Sequence, residues 1–537
     1  MLMANPTTSS TTTPNRGEGR VQKVHPSWLI LVVTCIGQFM VVLDMSVVNV
    51  ALPAIHRSLG FSETGLQWIL DIYALTFGGF LLLGGRIADL FGRKKIFMVG
   101  LSMFTVASFI GGIATTQMML LVARGLQGLG AAVLAPATLT ILTTTYTEPH
   151  ERARALATWS GVASAGGAVG VILGGVLTDL LSWRWTLFIN IPVGIVTLLV
   201  SARVITERRN EEVPKIDVLG ALLITLGLGS AIYGIVRTDT YSWTAWQTIV
   251  PIGAAAVLVA LFLVAESRWA KDPLVPLKFF SIRSVAGANL VMVMVGAAMF
   301  GMWFFESLYL QNVLGYSPLK AGMAFLPQPL AIMAGAIGCA KFVGRTGPKP
   351  ILILGPIISG IGLFWMSQIS SPGGYYPDVL FGGLLAALGI GLTFTPVSIA
   401  ATSGVPMKQA GLASGMVNAS RQVGGAIGLA VLATVASSAT ASDIRSHIYG
   451  ARLSGNALNR AHLHILNLAA QTHGFSDAFT IGAIIALAAA LCGTLVPHFK
   501  PGQPNRANMD RSQDTLSDAN RDDISVGSGE ATLAVEF

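Results

Sequence analysis

The chain has 537 residues, of which 53% are hydrophobic and only 11% charged, with 60 glycines and a formal net charge of +8. That balance excludes a soluble domain and points to an all-α polytopic membrane protein. Cys35, Cys339 and Cys492 stand far apart inside apolar segments, which suggests neither a disulfide framework nor a metal site, and the basic residues fall in short loops, as membrane orientation rather than nucleic acid requires.

Residues 1–27 are rich in Thr, Ser and Pro and contain no apolar h-region, so they are expected to form a disordered cytosolic tail with no signal peptide to remove. About fourteen apolar runs of bilayer length follow. They are expected near 28–51, 65–86, 96–114, 118–143, 155–178, 185–205, 216–236, 246–266, 285–311, 319–343, 350–370, 377–402, 412–436 and 476–498. An even number of spans puts both termini on one side. Arg93, Lys94 and Lys95, Arg152 and Arg154, Arg203, Arg208, Arg209 and Lys215, and Arg268, Lys271, Lys278 and Arg283 cluster on that side. The opposite loops hold little beyond Arg57, Arg184, Arg237, Lys320, Arg445, Arg452 and Arg460, so both termini are expected in the cytosol.

Between the second and third runs lies GGRIADLFGRKK, Gly84 to Lys95. Its glycines allow close helix approach, Asp89 can cap a helix or pair with a base, and the cations stay in the cytosol. This loop resembles the signature of the major facilitator superfamily, carried by Gly85, Asp89, Gly92 and Arg93. A fainter copy, GCAKFVGRTGPK from Gly338 to Lys349, has Gly344 where the first has aspartate. LDMSVVNVALP (Leu43 to Pro53), LVARGLQGLGAA (Leu121 to Ala132), WRWTLFINIPVG (Trp183 to Gly194), LYLQNVLGYSPLKAGMAFLP (Leu308 to Pro327) and GLASGMVNASRQVGGAIG (Gly411 to Gly428) extend the resemblance to the fourteen-span drug:proton antiporter group. It implies a major facilitator fold. An N-terminal six-helix half would occupy 28–205, an inserted helical pair with linkers 206–284, and a C-terminal six-helix half 285–498 with a long external loop at 437–475. A polar, disordered cytosolic tail would follow at 499–537. In the fifth span Gly166, Gly170 and Gly174, with Gly167 and Gly175 beside them, match the antiporter glycine stripe, although Val171 replaces its usual proline. The plainer reading of that stripe is ordinary small-residue packing. Gly424 and Gly428 repeat the theme in span 13.

An ionisable group in mid-bilayer costs at least about 2.5–3.5 kcal/mol and needs a partner, a wet cavity or a function. Asp44, Asp71, Arg124 and Glu306 stand out, each roughly 8–11 Å from the outer end of its span. Asp44, followed by Asn49 and a helix-ending Pro53, is either a structural hydrogen-bonding group or a carboxylate that binds and releases a proton. Asp71, in LQWILDIYALTF, resembles the proton-coupling aspartate of exporters of cationic compounds; the plainer alternative is a residue near the outer interface. Arg124 is either the counter-ion released when an acid is protonated or half of a fixed pair.

Glu306 either faces the central cavity, favouring a cationic substrate, or snorkels at the rim. Trp303, Phe304 and Phe305 are aromatic cavity walls or an interfacial belt, and Asn418, Arg421 and Gln422 are substrate contacts or interior polar links. In 437–475, His462 and His464 make a weak HxH metal hint, while Leu453, Leu458, Leu463, Leu466 and Leu468 suggest a partly amphipathic surface helix.

The chain carries no Walker A loop, nucleophile elbow or HExxH motif. No enzyme chemistry and no cofactor are therefore expected, and the energy source would be an ion gradient. The expected partners are a small-molecule substrate, protons and the lipid bilayer, with no nucleic acid. The resemblance implies a monomeric drug or antibiotic exporter in a bacterial-type cytoplasmic membrane, working by alternating access. A dedicated exporter of a metabolite, lipid or siderophore, and a non-transporting sensor or scaffold, are the alternatives.

Overall fold

The computed structural model describes residues 27–207, 217–238, 240–270, 273–371, 373–406, 409–453 and 460–498. Among them the chain is helical without strands, and fourteen helices are long and apolar enough to cross a membrane. In chain order they are α1 (Ser27–Leu59), α2 (Trp68–Phe91), α3 (Arg93–Gly112), α4 (Gln117–Thr145), α5 (Pro149–Leu180), α6 (Asn190–Val204) and α7 (Val218–Arg237). Then come α8 (Trp246–Val264), α9 (Arg283–Leu308), α10 (Pro318–Thr346), α11 (Pro348–Met366), α12 (Phe381–Thr402), α13 (Ala410–Leu453) and α14 (Arg460–Gly493). Fourteen crossings bring Ser27 and His498 to one face, here the termini face; the other is the far face.

Local chemistry sets the breaks between helices. Gly92 ends α2 and Gly347 ends α10 at φ of 102° and 75°, a region L side chains rarely adopt, and each is followed at once by the next helix. The two related loops therefore share a backbone device even though the second lacks the aspartate. At the start of α4, Thr116 accepts the Met119 amide at 3.2 Å, and Ser317 does the same for Lys320 at 3.3 Å before Pro318 opens α10.

Helices α1–α6 and α9–α14 form the two halves. Small residues set the closest approaches. In α5, a Cβ at Gly170 or Gly174 would lie 2.9 Å from the Leu43 carbonyl oxygen or 2.7 Å from that of Val47, both backbone of α1. Gly424 and Gly428 place α13 against Val293 and Ala297 of α9 in the same manner. The α5 stripe is thus a contact face against α1, except Gly175, which turns to the other half and the start of α10. The inserted α7 lies in the seam between the halves. Gly229 packs on Leu75 of α2, and Thr434 of α13 donates to the Ile235 carbonyl at 3.4 Å. Ser230 of α7 in turn donates to Pro251 of α8 at 2.8 Å.

Two expectations change. Pro53 does not end the first helix, which continues to Leu59. The segment 437–475, expected as an external loop, is helical through Leu453 and again from Arg460. No glycine or proline stands between Ser437 and Tyr449 to stop α13. Its 44 residues span about 66 Å, roughly twice the hydrocarbon core, so it projects beyond the membrane. The tails, His462, Leu458 and the Asp89 side chain lie outside the described residues and side chains.

Candidate functional site

The halves meet most tightly toward the far face. Asn49 Nδ2 of α1 donates to the Trp303 carbonyl of α9 at 3.0 Å, Ser307 Oγ donates to the Asn49 carbonyl at 2.9 Å, and Gln311 Nε2 donates to the Val50 carbonyl at 2.9 Å. Beside this seam a Cβ at Gly175 would lie 2.6 Å from the Pro318 carbonyl oxygen. Toward the termini face the packing relaxes. Gly161 of α5, Gly338 of α10 and Gly411 of α13 have open space where a Cβ would stand, and Ser164 and Ala165 are exposed or nearly so. The halves are sealed on the far face; toward the termini face α5 and α10 leave open space, while α2 and α13 stay in contact, a Cβ at Gly415 lying 2.8 Å from the Leu82 side chain.

Below the seal, in the N-terminal half, lies a buried polar cluster. The Asp44 carboxylate of α1 accepts Arg124 Nη1 at 2.5 Å on one oxygen, and Gln127 Nε2 at 2.6 Å and Asn190 Nδ2 at 2.9 Å on the other. Ser108 Oγ of α3 accepts from Gln127 and Asn190, at 3.2 and 3.0 Å, and donates to the Leu187 carbonyl at 2.8 Å. Arg124 also donates to Gln127 Oε1 at 2.8 Å and to the Ile69 carbonyl of α2 at 3.1 Å, and lies 4.4 Å above the Tyr73 ring. Both charges are buried, with 0% exposure for Asp44 and 1% for Arg124. Such a pair offsets desolvation to the extent that the remaining hydrogen bonds are made: Gln127 of α4 and Asn190 of α6 complete Asp44, Ser108 of α3 holds those two amides, and Arg124 Nη2 is buried without a partner among the described residues. Gln127, Asn190, Ser108 and Tyr73 were not singled out from sequence, although Gln127 and Asn190 interrupt apolar runs at the motifs quoted for α4 and α6.

Asp71 is different. It is fully buried, and neither carboxylate oxygen has a hydrogen-bond partner among the described residues. Gln67, one turn earlier and also buried, has no partner there at either side-chain atom. Arg124 therefore pairs with Asp44 alone, and the charged form of Asp71 meets no donor among these residues.

Glu306 belongs to neither a cavity wall nor a rim here. It is fully buried, and both its oxygens accept from Gln328 Nε2 at 2.6 Å. Gln328 Oε1 takes the Trp303 indole N–H at 3.1 Å, and Trp303 is the residue whose carbonyl receives Asn49. Glu306 is thereby linked to the seal. Phe304 and Phe305 are core residues: Phe305 packs edge-on to Phe304 at 5.1 Å and against Phe475 of α14 at 5.7 Å. Of the α13 group, Gln422 is buried against Gly78 of α2, while Asn418 and Arg421 are half-buried and bonded to each other at 2.8 Å.

The signature turn is held by the end of α6 and by the linkers on either side of the inserted pair. Lys94 Nζ donates to the Ala202 carbonyl at 2.6 Å, and Glu207 accepts the Lys95 amide at 3.1 Å. The Glu207 carboxylate sits at the start of α3, where a negative charge is favoured, and Gly92 leaves it room. Gly85 is half-buried, and a Cβ there would lie 3.6 Å from the Pro136 side chain of α4. Arg86 donates to the Pro273 carbonyl, tying the motif to the linker after α8.

Comparison with known proteins follows the same lines. Residues 34–429 match the family model described as Major Facilitator Superfamily. The chain is 40% identical to the cephamycin export protein CmcT of Amycolatopsis lactamdurans, covering 82% of this chain and 92% of that protein. It is 38% identical to the puromycin resistance protein pur8 of Streptomyces alboniger, covering 78% and 84%. Among solved structures, a bacterial homologue of the lysosomal transporter Spinster in an inward-facing, unoccupied conformation superposes with a TM-score of 0.61 at 15% identity, covering 89% of this chain and 99% of that one. A D-xylose–proton symporter superposes with a TM-score of 0.59 at 13% identity, covering 89% and 99%.

Proposed function

This chain belongs to the major facilitator superfamily, and we propose that within it the protein is a proton-coupled exporter of hydrophobic drugs or antibiotics, working by alternating access. The relatives named for cephamycin export and puromycin resistance support the direction and class of cargo. The observation that carries proton coupling is the contrast between two buried carboxylates in one half: Asp44 is fully partnered, and Asp71 has no partner among the described residues.

The mechanism follows from what Arg124 holds. It ties Asp44 of α1 to the α2 backbone at Ile69 and to the Tyr73 face. A proton on Asp44 removes the charge that fixes the guanidinium and frees α1 and α2 to shift, a bias on a two-state element. Asp71, two residues beyond Ile69 and apart from Arg124's bonds, takes or gives the proton as the helices move. With the termini face in the cytosol, as the basic loops indicate, the present conformation takes up cargo from inside. The inward proton gradient then drives release outside. The turn from Gly85 through Asp89 and Gly92 to Arg93 acts as the latch of the termini face. The Gly166, Gly170, Gly174 stripe lets α5 move against α1, with Gly175 at the seal. The protein works as a monomer in the cytoplasmic membrane.

The direct test is substrate-induced proton movement in proteoliposomes of the purified protein, screened with cephamycins, puromycin and hydrophobic dyes. Proton movement tied to a compound and lost in Asp71→Asn supports the reading. Silence across the panel with folded protein refutes drug antiport and favours a dedicated metabolite, lipid or siderophore.

A further inference from the structure

One face of α13 is uncovered near the termini face. Gly411 and Ser414 are exposed, Asn418 and Arg421 are half-buried, and these positions fall on a single helical stripe. One turn further the stripe closes, since a Cβ at Gly425 would lie 2.7 Å from the Phe300 ring. A lipid-facing stripe would be apolar. Serine, asparagine and arginine at increasing depth instead describe a wall of a water-filled opening that ends at Arg421. Arg421 stands about 16 Å along α13 from its first residue, near the middle of a hydrocarbon core roughly 30 Å thick.

This guanidinium has no acid partner among the described residues. Its Nη2 donates to Asn418 Oδ1 at 2.8 Å, its Cζ lies 5.9 Å from the Phe394 ring centre of α12, and its Nε is buried without a partner there. The deep carboxylates are accounted for elsewhere. Asp44 is paired with Arg124. Glu306 is held by Gln328, and lies about 15 Å along α9 from Gly296, whose Cα packs on the Arg421 backbone. Asp71 lies about 10 Å along α2 from Gly78, the residue that packs on Gln422.

We propose that Arg421 is the anion-recognition point of the substrate site, and that the transported compound carries a carboxylate next to an apolar portion that rests on Phe394. The proposal deepens, and rests on, the export reading. A permanent cation at half depth, oriented by Asn418 and without a protein carboxylate against it, is matched by a carboxylate on the cargo, which accepts the guanidinium's N–H groups in its plane. A cationic compound would be repelled from the same point.

Two measurements decide it. In a variant with the three native cysteines replaced, Ser414→Cys puts a thiol two turns from Arg421 on the open stripe. Its reaction rates with an anionic sulfonatoethyl and a cationic trimethylammonioethyl methanethiosulfonate give a ratio independent of any cargo. Arg421→Gln is expected to lower the anion-to-cation ratio by roughly threefold or more; an unchanged ratio overturns the proposal. Binding of a cephamycin carboxylate and its methyl ester to the otherwise unmodified protein supplies the second readout. Arg421→Gln is expected to weaken the acid about 10- to 100-fold and leave the ester unchanged, with Arg421→Lys in between. Equal weakening of acid and ester overturns it by making Arg421 a structural residue. If wild-type protein binds neither compound, the export reading for this cargo class fails, and with it the assignment of Arg421 to cargo, whatever the reagent ratio.

Discussion

Asp44→Asn tests the buried cluster most sharply because the substitution keeps shape and removes only charge and one acceptor. In the native protein one Asp44 oxygen meets Arg124 and the other meets the amides of Gln127 and Asn190. An asparagine has a single oxygen. Turned toward Arg124, it sets its own NH₂ against two amide donors; turned the other way, it sets NH₂ against a guanidinium. Either orientation leaves Arg124 as an unpaired buried charge, a loss of about 3–5 kcal/mol. Arg124→Gln leaves the Asp44 carboxylate unpaired and is expected to cost a similar amount. The double variant retains no net charge in the cluster, so its loss falls short of the sum by about 2 kcal/mol or more. Denaturant unfolding of the four proteins in mixed micelles measures the cycle. Additivity within about 0.5 kcal/mol would refute the argument that these two groups compensate one another.

Asp71→Asn breaks no hydrogen bond among the described residues, so its stability should change by less than about 1 kcal/mol, while proton-driven export in vesicles disappears; normal gradient-driven export would remove Asp71 from the mechanism. Glu306→Gln sets one amide against another at Gln328 and loosens Trp303 beneath the Asn49 seal, so export of neutral and cationic dyes should fall alike. A loss confined to cationic dyes would instead put Glu306 in contact with cargo. Gly174→Ala places a Cβ 2.7 Å from the Val47 carbonyl oxygen and should destabilise the protein by about 1–3 kcal/mol, whereas Gly161→Ala enters open space; equal melting behaviour of the two would contradict the contact face.

Much of this molecule is legible in its sequence because the bilayer leaves few options. Apolar runs of bilayer length must be helices that satisfy their own backbone, so fourteen spans could be placed before any contact was known. The same economy marks Asp44, Asp71, Arg124 and Glu306, since charge in a span stands out against its surroundings. Glycine spacing identified the α5 stripe, and the likeness of the two loops is matched by a positive-φ glycine in each, Gly92 and Gly347.

What remained hidden depends on rotation and depth, which one-dimensional spacing does not carry. Four ionisable groups stand at similar distances along their helices, and spacing alone leaves open which of them pair. Only packing turns Asp44 toward Arg124, leaves Asp71 without a donor among the described residues, and hands Glu306 to Gln328, a residue 22 positions away in another helix. Gln127 and Asn190 are ordinary polar residues until packing brings both to one carboxylate, with Ser108 accepting from each behind them. Nor does a membrane-length run reveal where a helix ends in water, so α13 could continue past the expected loop start at Ser437. Which groups must be reconciled with the membrane can be read from the chain alone. Their partners are a matter of three-dimensional packing, because a buried charge is settled by the donors within about 3 Å of it and not by its neighbours along the chain.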